Sequence, residues 1–342
     1  MSPMTDSLNV GIIGTGRIGQ VHAEILAYRI PTVNVLAVSD VILAAADKCA
    51  TTYQIPAAFS DHRAILDNPE IEAVVICSST DTHAQFITEA AQAGKHIFCE
   101  KPIALDLKTI DQALDAVEQN GVKLQVGFNR RFDPNFKHVR DAVAAGEIGE
   151  PRLVHIISRD PAPPPISYVK VSGGMFLDMT IHDFDMARYL IDSEVEEIFA
   201  TGGVMVDPAI GEAGDVDTAV ITLRYANGVI GTIDNCRQAV YGYDQRIEVF
   251  GSKGNLVAAN NVPHRVTHSN AAGVHTALPL NFFIERYAQA YIDELKAFVQ
   301  AVVEDTPPPV TGLDGRIPVV MGLAAGKSYQ ENRPVKLSEV GG

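Results

Sequence analysis

Short apolar runs alternate with helix-like stretches along the first third of the chain. Val10–Ile13 leads through a glycine turn into Gln20–Tyr28, and Val33–Val38 leads into Leu43–Tyr53. Ala73–Cys77 is apolar at every position, which predicts a strand covered on both faces. A helix is expected over Thr82–Ala93, stopped by Gly94, because glycine readily takes the left-handed conformation that ends helices. His96–Cys99, Leu107–Glu118 with Gly121 behind it, and Lys123–Val126 complete the series. Such repeated βα units predict a doubly wound parallel sheet, an α/β Rossmann domain, over residues 1–125.

The texture changes over residues 126–342. Arg152–Ser158 reads as a strand that ends in Pro161 and Pro163–Pro165, where a loop must follow. Met175–Leu190 is a helix candidate opening after Gly173 and Gly174. Ala219–Tyr225 and Val229–Asn235 flank Asn227-Gly228, a strong hairpin signal, and Arg246–Phe250 turns at Gly251–Gly254 into Asn255–Ala259. Helices are expected at Phe282–Val303 and Ile317–Asn332. The second domain therefore reads as α+β, with a large, mostly antiparallel sheet.

The chain's 342 residues suit two domains at roughly 150 residues each. With 46% hydrophobic and 20% charged residues the balance is globular, which sets disorder aside. A formal charge of −15 disfavours nucleic acid and anionic bilayers as partners, since both repel an acidic surface. Asp6 stands where a signal peptide would carry a cation, and no apolar run reaches the ~18 residues of a membrane helix. Cys49, Cys77, Cys99 and Cys236 form no CxxC, and three of them sit in apolar runs. Buried reduced thiols and a cytoplasmic protein are expected.

Two stretches carry chemistry. Gly14-Thr15-Gly16-Arg17-Ile18-Gly19 follows the first strand and opens a helix. In that context Gly14 serves the tight turn, Gly16 the approach of a pyrophosphate and Gly19 helix–strand packing, with the helix N-terminus facing the phosphates. Asp40, at the end of the second strand, is placed to bond ribose hydroxyls and to repel a 2′-phosphate, which favours NAD over NADP. It could equally cap the helix near Leu43, and both roles can hold at once. Cys99-Glu100-Lys101-Pro102 ends the fifth strand, where open parallel sheets place ligands. There Lys101 could stabilise a developing alkoxide, while position alone leaves a surface Glu–Lys pair equally open. The bond before Pro102 is a candidate for the cis form.

The second constellation is Asp178, His182 and Asp185, at i, i+4 and i+7 on the expected helix, which would make one polar stripe. A carboxylate one turn from an imidazole can hold its tautomer and support the imidazolium formed on proton abstraction. A solvated helix surface is the competing reading. A metal site lacks a third ligand at recognisable spacing, so no metal is expected. His264, His268 and His275 read as a solvated hairpin, and Phe282, Phe283, Arg286, Tyr287 and Tyr291 as core or subunit packing.

Together, Gly14–Gly19, Glu100-Lys101-Pro102 and the Asp178–His182 stretch resemble the Gfo/Idh/MocA oxidoreductases, over nearly the whole chain. Within them the chain is most similar to inositol 2-dehydrogenases. That closer likeness rests on Gly127-Phe128-Asn129-Arg130-Arg131-Phe132-Asp133, Ser158-Arg159-Asp160-Pro161, Met179-Thr180-Ile181-His182-Asp183 and Tyr241-Gly242-Tyr243-Asp244. The resemblance implies NAD-dependent oxidation of a ring hydroxyl of myo-inositol to 2-keto-myo-inositol. His182 would be the base, Asp178 would orient it and bind substrate, and Lys101 would contact the reacting oxygen. It implies further that Asn129, Arg130, Asp160 and Tyr243 line the substrate pocket, with Arg130 also beside the nicotinamide. Ser79, Thr80, His83 and Glu100 would lie on the cofactor side, with Gly14, Thr15, Gly16, Arg17, Ile18 and Asp40. A homotetramer in myo-inositol catabolism, paired through the open face of the second-domain sheet, is the implied assembly. A pocket rich in Lys, Arg, Asp, His, Tyr and Asn suits ring hydroxyls, which donate and accept at once. Ser158 stands where some inositol dehydrogenases have histidine, which leaves scyllo-inositol, a pyranose or an anhydrosugar open as substrates. A non-catalytic NAD-binding regulator is the alternative of a different kind.

Overall fold

The computed structural model describes residues 7–341; Asp6, and the expectation resting on it, lies outside them. The described chain forms two compact units, residues 7–129 with 291–316 and residues 130–290 with 317–341. Residues 291–316 thus pack with the first unit, although the pattern of the sequence leaves them with the second. No helix among the described residues is long and apolar enough to cross a membrane.

In the first unit six parallel strands lie in the order β3-β2-β1-β4-β5-β6. They span Leu8–Ile13 (β1), Val33–Ser39 (β2), Ala57–Phe59 (β3), Ala73–Ile76 (β4), His96–Glu100 (β5) and Leu124–Gly127 (β6). Helices over Arg17–Tyr28, Leu43–Tyr53, Thr80–Gln92 and Leu107–Gln119 connect them. The strand order reverses between β1 and β4, and a crevice at the carboxyl ends of the strands there is where such sheets take ligands. Every residue of β4 is buried, as its unbroken apolar run predicts. The three-residue β3 has too few apolar positions to stand out in the sequence.

In the second unit a seven-stranded sheet has the order β12-β11-β7-β10-β9-β8-β15. Its strands are Pro151–Arg159 (β7), Val195–Gly203 (β8), Thr218–Tyr225 (β9), Ile230–Cys236 (β10), Asp244–Gly251 (β11), Asn255–Ala258 (β12) and Val335–Lys336 (β15). Pairing is antiparallel throughout except for β7 with β10, which run parallel. The Asn227-Gly228 hairpin joins β9 to β10, with Gly228 at φ 87°. Alternation along β9 and β10 buries Ala219, Ile221, Leu223 and Ile233 and exposes Val220 and Ile230. His268–Asn270 and Gly273–His275 form a small exposed hairpin (β13 and β14), as the histidine spacing suggests.

Three expected helices are altered. Residues Met175–Met179 form a wide π turn, closed by Thr180 N–H donating to Met175 O at 2.9 Å, and the α-helix proper is Ile181–Ile191. The Phe282–Val303 stretch divides at Tyr287 into Phe283–Arg286 and Ala288–Val303. The last helix begins at Gly312 rather than Ile317, where Thr311 and Asp314 bond reciprocally as a capping box. An eleven-residue helix, Pro134–Ala144, goes unnoticed in the apolar pattern, although Asp133 caps Asn135 and Phe136 N–H and Pro134 opens it.

Asp244, fully buried at the start of β11, gathers the polar groups around that end of the sheet. Its carboxylate accepts from Tyr241 Oη at 2.5 Å, Arg246 Nε at 2.7 Å and Asn260 Nδ2 at 2.5 Å. Burial works against its charge, but these donors hold its pKa down at about 2. The stability that Asp244 confers is therefore fully present above the unfolded carboxyl value of about 4 and is lost as pH falls through about 2. Asp244→Ala leaves half-exposed Tyr241, Arg246 and Asn260 without their shared acceptor and should cost roughly 2 kcal/mol in urea unfolding at neutral pH. The difference from wild type should shrink below pH 4; an unchanged difference would contradict this role.

Candidate active site

The glycine turn after β1 divides its labour among three residues. Gly14 has φ 94°, and a Cβ there would lie 2.6 Å from Ser78 N, so only glycine fits. A Cβ on Gly19 would collide with the Gly14 carbonyl oxygen, so this glycine lets helix and strand close together. Around Gly16 no atom lies within 4 Å of a Cβ position. Open space at the N-terminus of Arg17–Tyr28, with Arg17 and Ile18 in its first turn, fits the pyrophosphate of a dinucleotide.

Asp40 joins this turn to β2. Its Oδ2 accepts from Thr15 N–H at 2.9 Å and Thr15 Oγ1 at 3.0 Å, and its Oδ1 accepts from Ile42 N–H at 3.0 Å. Partial burial raises its pKa, but the donors from Ile42 and Thr15 outweigh it and hold the carboxyl below its ordinary value. Asp40 thus starts the turn into the Leu43–Tyr53 helix without being its N-cap, which is Ile42. The ionised carboxylate is followed in the chain by exposed Val41 and Ile42 rather than by a cation that could receive a 2′-phosphate. The residues present fit NAD.

The loop after β4 carries Ser79, exposed, and Thr80, which begins the next helix. His83 is buried, with Nδ1 2.8 Å from Pro102 O and Nε2 3.1 Å from Ser78 O. Burial lowers its pKa although both carbonyls favour the charged ring, so a neutral His83 donates to one of them. The side chain therefore ties the β4 loop to the turn after β5. Lys101 is half-buried in that turn, and its bond to Pro102 is cis. Glu100 faces inward to His22 Nε2 at 2.6 Å instead of pairing on the surface. Asn129, at the end of the first unit, is buried.

In the second unit, Arg130 is buried, and its Nη1 donates to Asp183 Oδ1 at 2.6 Å. Its Nη2 reaches Ser158 Oγ at 3.4 Å and Tyr243 Oη at 3.5 Å. Asp183 Oδ2 accepts from Asn235 Nδ2 at 2.8 Å, and Asn235 Oδ1 accepts from Thr180 Oγ1 at 2.6 Å. Burial pushes Asp183 up, against the pull of Arg130 and Asn235. Asp185 is also buried and accepts from Arg131 through both Nε, at 3.0 Å, and Nη2, at 2.6 Å. The expected stripe of Asp178, His182 and Asp185 is therefore corrected. The π turn resets the helical phase, and Asp185 faces the core while Asp178 and His182 stay half-exposed.

Asp178 Oδ1 accepts from Tyr168 Oη at 2.8 Å, and its Oδ2 lies 3.5 Å from Arg237 Nη1. Asp160, half-buried after β7, is raised to about 6 by burial, with Asp178 and Asp183 adding and Arg237 and Arg130 opposing. Tyr243 is buried, and burial keeps its hydroxyl protonated well beyond the ordinary tyrosine value. The second unit thus brings Arg130, Asp160, Asp178 and Tyr243 into one electrostatically connected cluster. Tyr168, Asp183, Asn235 and Arg237 belong to it as well, and sequence reading passed them over. Asp183 stands in the quoted Met179–Asp183 motif, but Tyr168 and Arg237 carry no local signal.

The oxidoreductase family described by an NAD-binding Rossmann fold matches residues 8–128, and the Gfo/Idh/MocA C-terminal domain matches residues 136–257. Myo-inositol 2-dehydrogenase of Thermotoga maritima is 49% identical over 333 residues, 97% of this chain and 99% of that protein. The scyllo-inositol 2-dehydrogenase (NAD(+)) of Bacillus subtilis is 35% identical over 334 residues, 98% of this chain and 97% of its own. Myo-inositol dehydrogenase of Lactobacillus casei, solved with NAD(H) and myo-inositol, superposes with a TM-score of 0.87 at 28% identity, covering 96% of each chain. With the glycine turn, the Glu100-Lys101-Pro102 strand end and the polar cluster of the second sheet all in place, the chain belongs to the Gfo/Idh/MocA oxidoreductase family.

Proposed function

We propose that the protein oxidises a ring hydroxyl of myo-inositol to the ketone, 2-keto-myo-inositol, with NAD as cofactor. The observation that carries this reading is the 49% identity, along nearly the whole of both chains, to a myo-inositol 2-dehydrogenase. The cluster of donors and acceptors in the second unit supports it, because a cyclitol hydroxyl needs both. The 35% identity to a scyllo-inositol dehydrogenase supports that epimer as the second reading.

NAD, when bound, supplies the acceptor for the two electrons leaving the carbinol carbon. Gly14, Thr15, Gly16, Arg17 and Ile18 would hold its pyrophosphate, Asp40 its ribose, and Ser79 and Thr80 the far side of the crevice, with His83 and Glu100 fixing the loops behind them. In this reading His182 takes the hydroxyl proton and Lys101 donates to the same oxygen, steadying its negative charge. Asp178 is a carboxylate already held by Tyr168 and Arg237, suited to orient the imidazole and support its cationic form. Asn129, Arg130, Asp160 and Tyr243 would bond the remaining hydroxyls.

Two finer points belong to the same reading. The exposed face of the second sheet carries Leu153, Val220, Ile230, Phe250 and Val257, an apolar surface that supports pairing into a homotetramer. Free, buried Cys49, Cys77 and Cys99 support a reducing, cytoplasmic setting for a role in inositol catabolism.

NAD reduction across a panel of cyclitols and sugars should give the highest kcat/KM with myo-inositol; turnover of pyranoses alone would overturn the substrate. His182→Ala should lower kcat by about 10²–10⁴-fold, the usual scale of general-base catalysis, and unchanged turnover would remove the base. Asp160 offers only acceptors, and charged ones, when it is ionised, so kcat/KM should fall as pH drops through about 6. That inflection should vanish in Asp160→Asn, and its survival would assign it elsewhere. Asp40→Ala should cut the preference for NAD over NADP by about 10-fold or more, given the worth of a charged hydrogen bond, and an unaltered ratio would contradict the ribose role.

A further inference from the structure

Behind the turn that carries Lys101, the first unit buries an acid that the reaction above does not use. Glu294, on the Ala288–Val303 helix, is fully buried, and neither side-chain oxygen has a hydrogen-bond partner among the described residues. An oxygen of Glu294, an oxygen of Glu100 and a ring nitrogen of His22 all lie within 4.8 Å of one another. The imidazole is already engaged, with His22 Nε2 2.6 Å from Glu100 Oε1. The helix is pinned at this point: Gln125 Nε2 donates to the Glu294 backbone oxygen at 2.8 Å, and Tyr291 stands edge-on to His22 with centroids 5.8 Å apart. Gly127 leaves room for the Glu100 carboxylate, since a Cβ there would lie 3.2 Å from its Cδ.

Two acids and a histidine can hold a divalent ion, but this geometry describes something else. Two ligands about 2.1 Å from a metal at a right angle are about 3.0 Å apart. The 2.6 Å between His22 and Glu100 is shorter and is a hydrogen bond. An ionised Glu294 would then lie buried beside a second carboxylate with no donor from the described residues, which is the arrangement that buried acids avoid by keeping their proton. Burial first, and then the charge of Glu100, push the Glu294 carboxyl well above the ordinary range. The Cys77 thiol also faces it, and the Cys99 thiol faces Glu100; burial pushes both thiols up, so neither is a countercharge.

We infer that Glu294 is a positioning residue: a neutral carboxylic acid that backs the His22–Glu100 pair and keeps the strand end bearing Lys101 in place. A second anion at this position would compete with Glu100 for His22 and displace it. The link to catalysis rests on the reading of Lys101 as a substrate contact; the protonation state does not.

Infrared spectroscopy of the full-length protein at neutral pH tests the protonation state without any substrate. A protonated-carboxyl C=O band should be present in wild type, absent in Glu294→Gln and retained in Glu100→Gln; its persistence in Glu294→Gln overturns the inference. The native state would hold a proton that the unfolded chain releases. Wild type should therefore lose stability relative to Glu294→Gln as pH rises above the ordinary carboxyl range, by up to tenfold in the folding equilibrium per pH unit. A pH-independent difference overturns it too. For the positioning role, Glu294→Gln, isosteric with the neutral acid, should keep kcat within about twofold. Glu294→Ala should lose roughly 10- to 100-fold, the cost of a slightly misplaced group. If the Ala variant does not fold, the infrared and pH arms decide; a Gln variant as slow as a catalytic-residue knockout contradicts the role. A protein that proves inactive on every cyclitol would leave the infrared result standing, so the two readings fail separately.

Discussion

A carboxylate taken out of water must be met by a cation, met by several donors, or give up its charge, and this constraint shapes both units. The chain carries 42 acidic residues against 27 Lys and Arg, so cations are the scarcer partner. In the second unit the buried acids claim them: Asp183 takes Arg130, Asp185 takes Arg131, Asp133 takes Arg286 and Asp244 takes Arg246. In the first unit Asp40 is met by backbone and hydroxyl donors instead, while Glu294 has neither. Removing one member of such a pair strands the other, which is what makes the loss of either costly.

The same constraint explains the chemistry available. Arg130, fixed by Asp183, presents its second nitrogen toward Ser158 and Tyr243 as a donor already in place. Asp160, half-buried near two other acids, has its pKa raised to about 6, while Asp178 is restrained by Tyr168 and Arg237. Groups preset in this way suit a substrate made of hydroxyls, since each can give or take a hydrogen bond without first being reorganised. On the nucleotide side the equivalent presetting is steric: Gly14 and Gly19 close the turn, and Gly16 leaves it open.

What was legible in the sequence follows from which forces act locally. The unbroken apolar run of β4, the glycine turn in register between strand and helix, and the Asn227-Gly228 hairpin each state their structure within a few residues, and all three appear as expected. The π turn at Met175–Met179 does not, because nothing in its composition separates it from an α-helix, and so the partnership of Asp185 was misread. The return of residues 291–316 to the first unit depends on contacts such as Gln125 with Glu294, 169 residues apart, which no window of sequence reports. Arg237 meets Asp178 for the same long-range reason, while Tyr168 reaches it from only ten residues away.

The central claim is that an inositol carbinol gives up its hydrogen to NAD in this protein. The most direct measurement follows the fate of deuterium from myo-inositol labelled at C2, by mass spectrometry of the reduced nucleotide and by the isotope effect on kcat/KM. The account predicts one deuterium in the reduced nicotinamide, an equal amount of inosose and a slower reaction than with unlabelled substrate. Tight NAD binding with no deuterium transferred from any labelled cyclitol would contradict it.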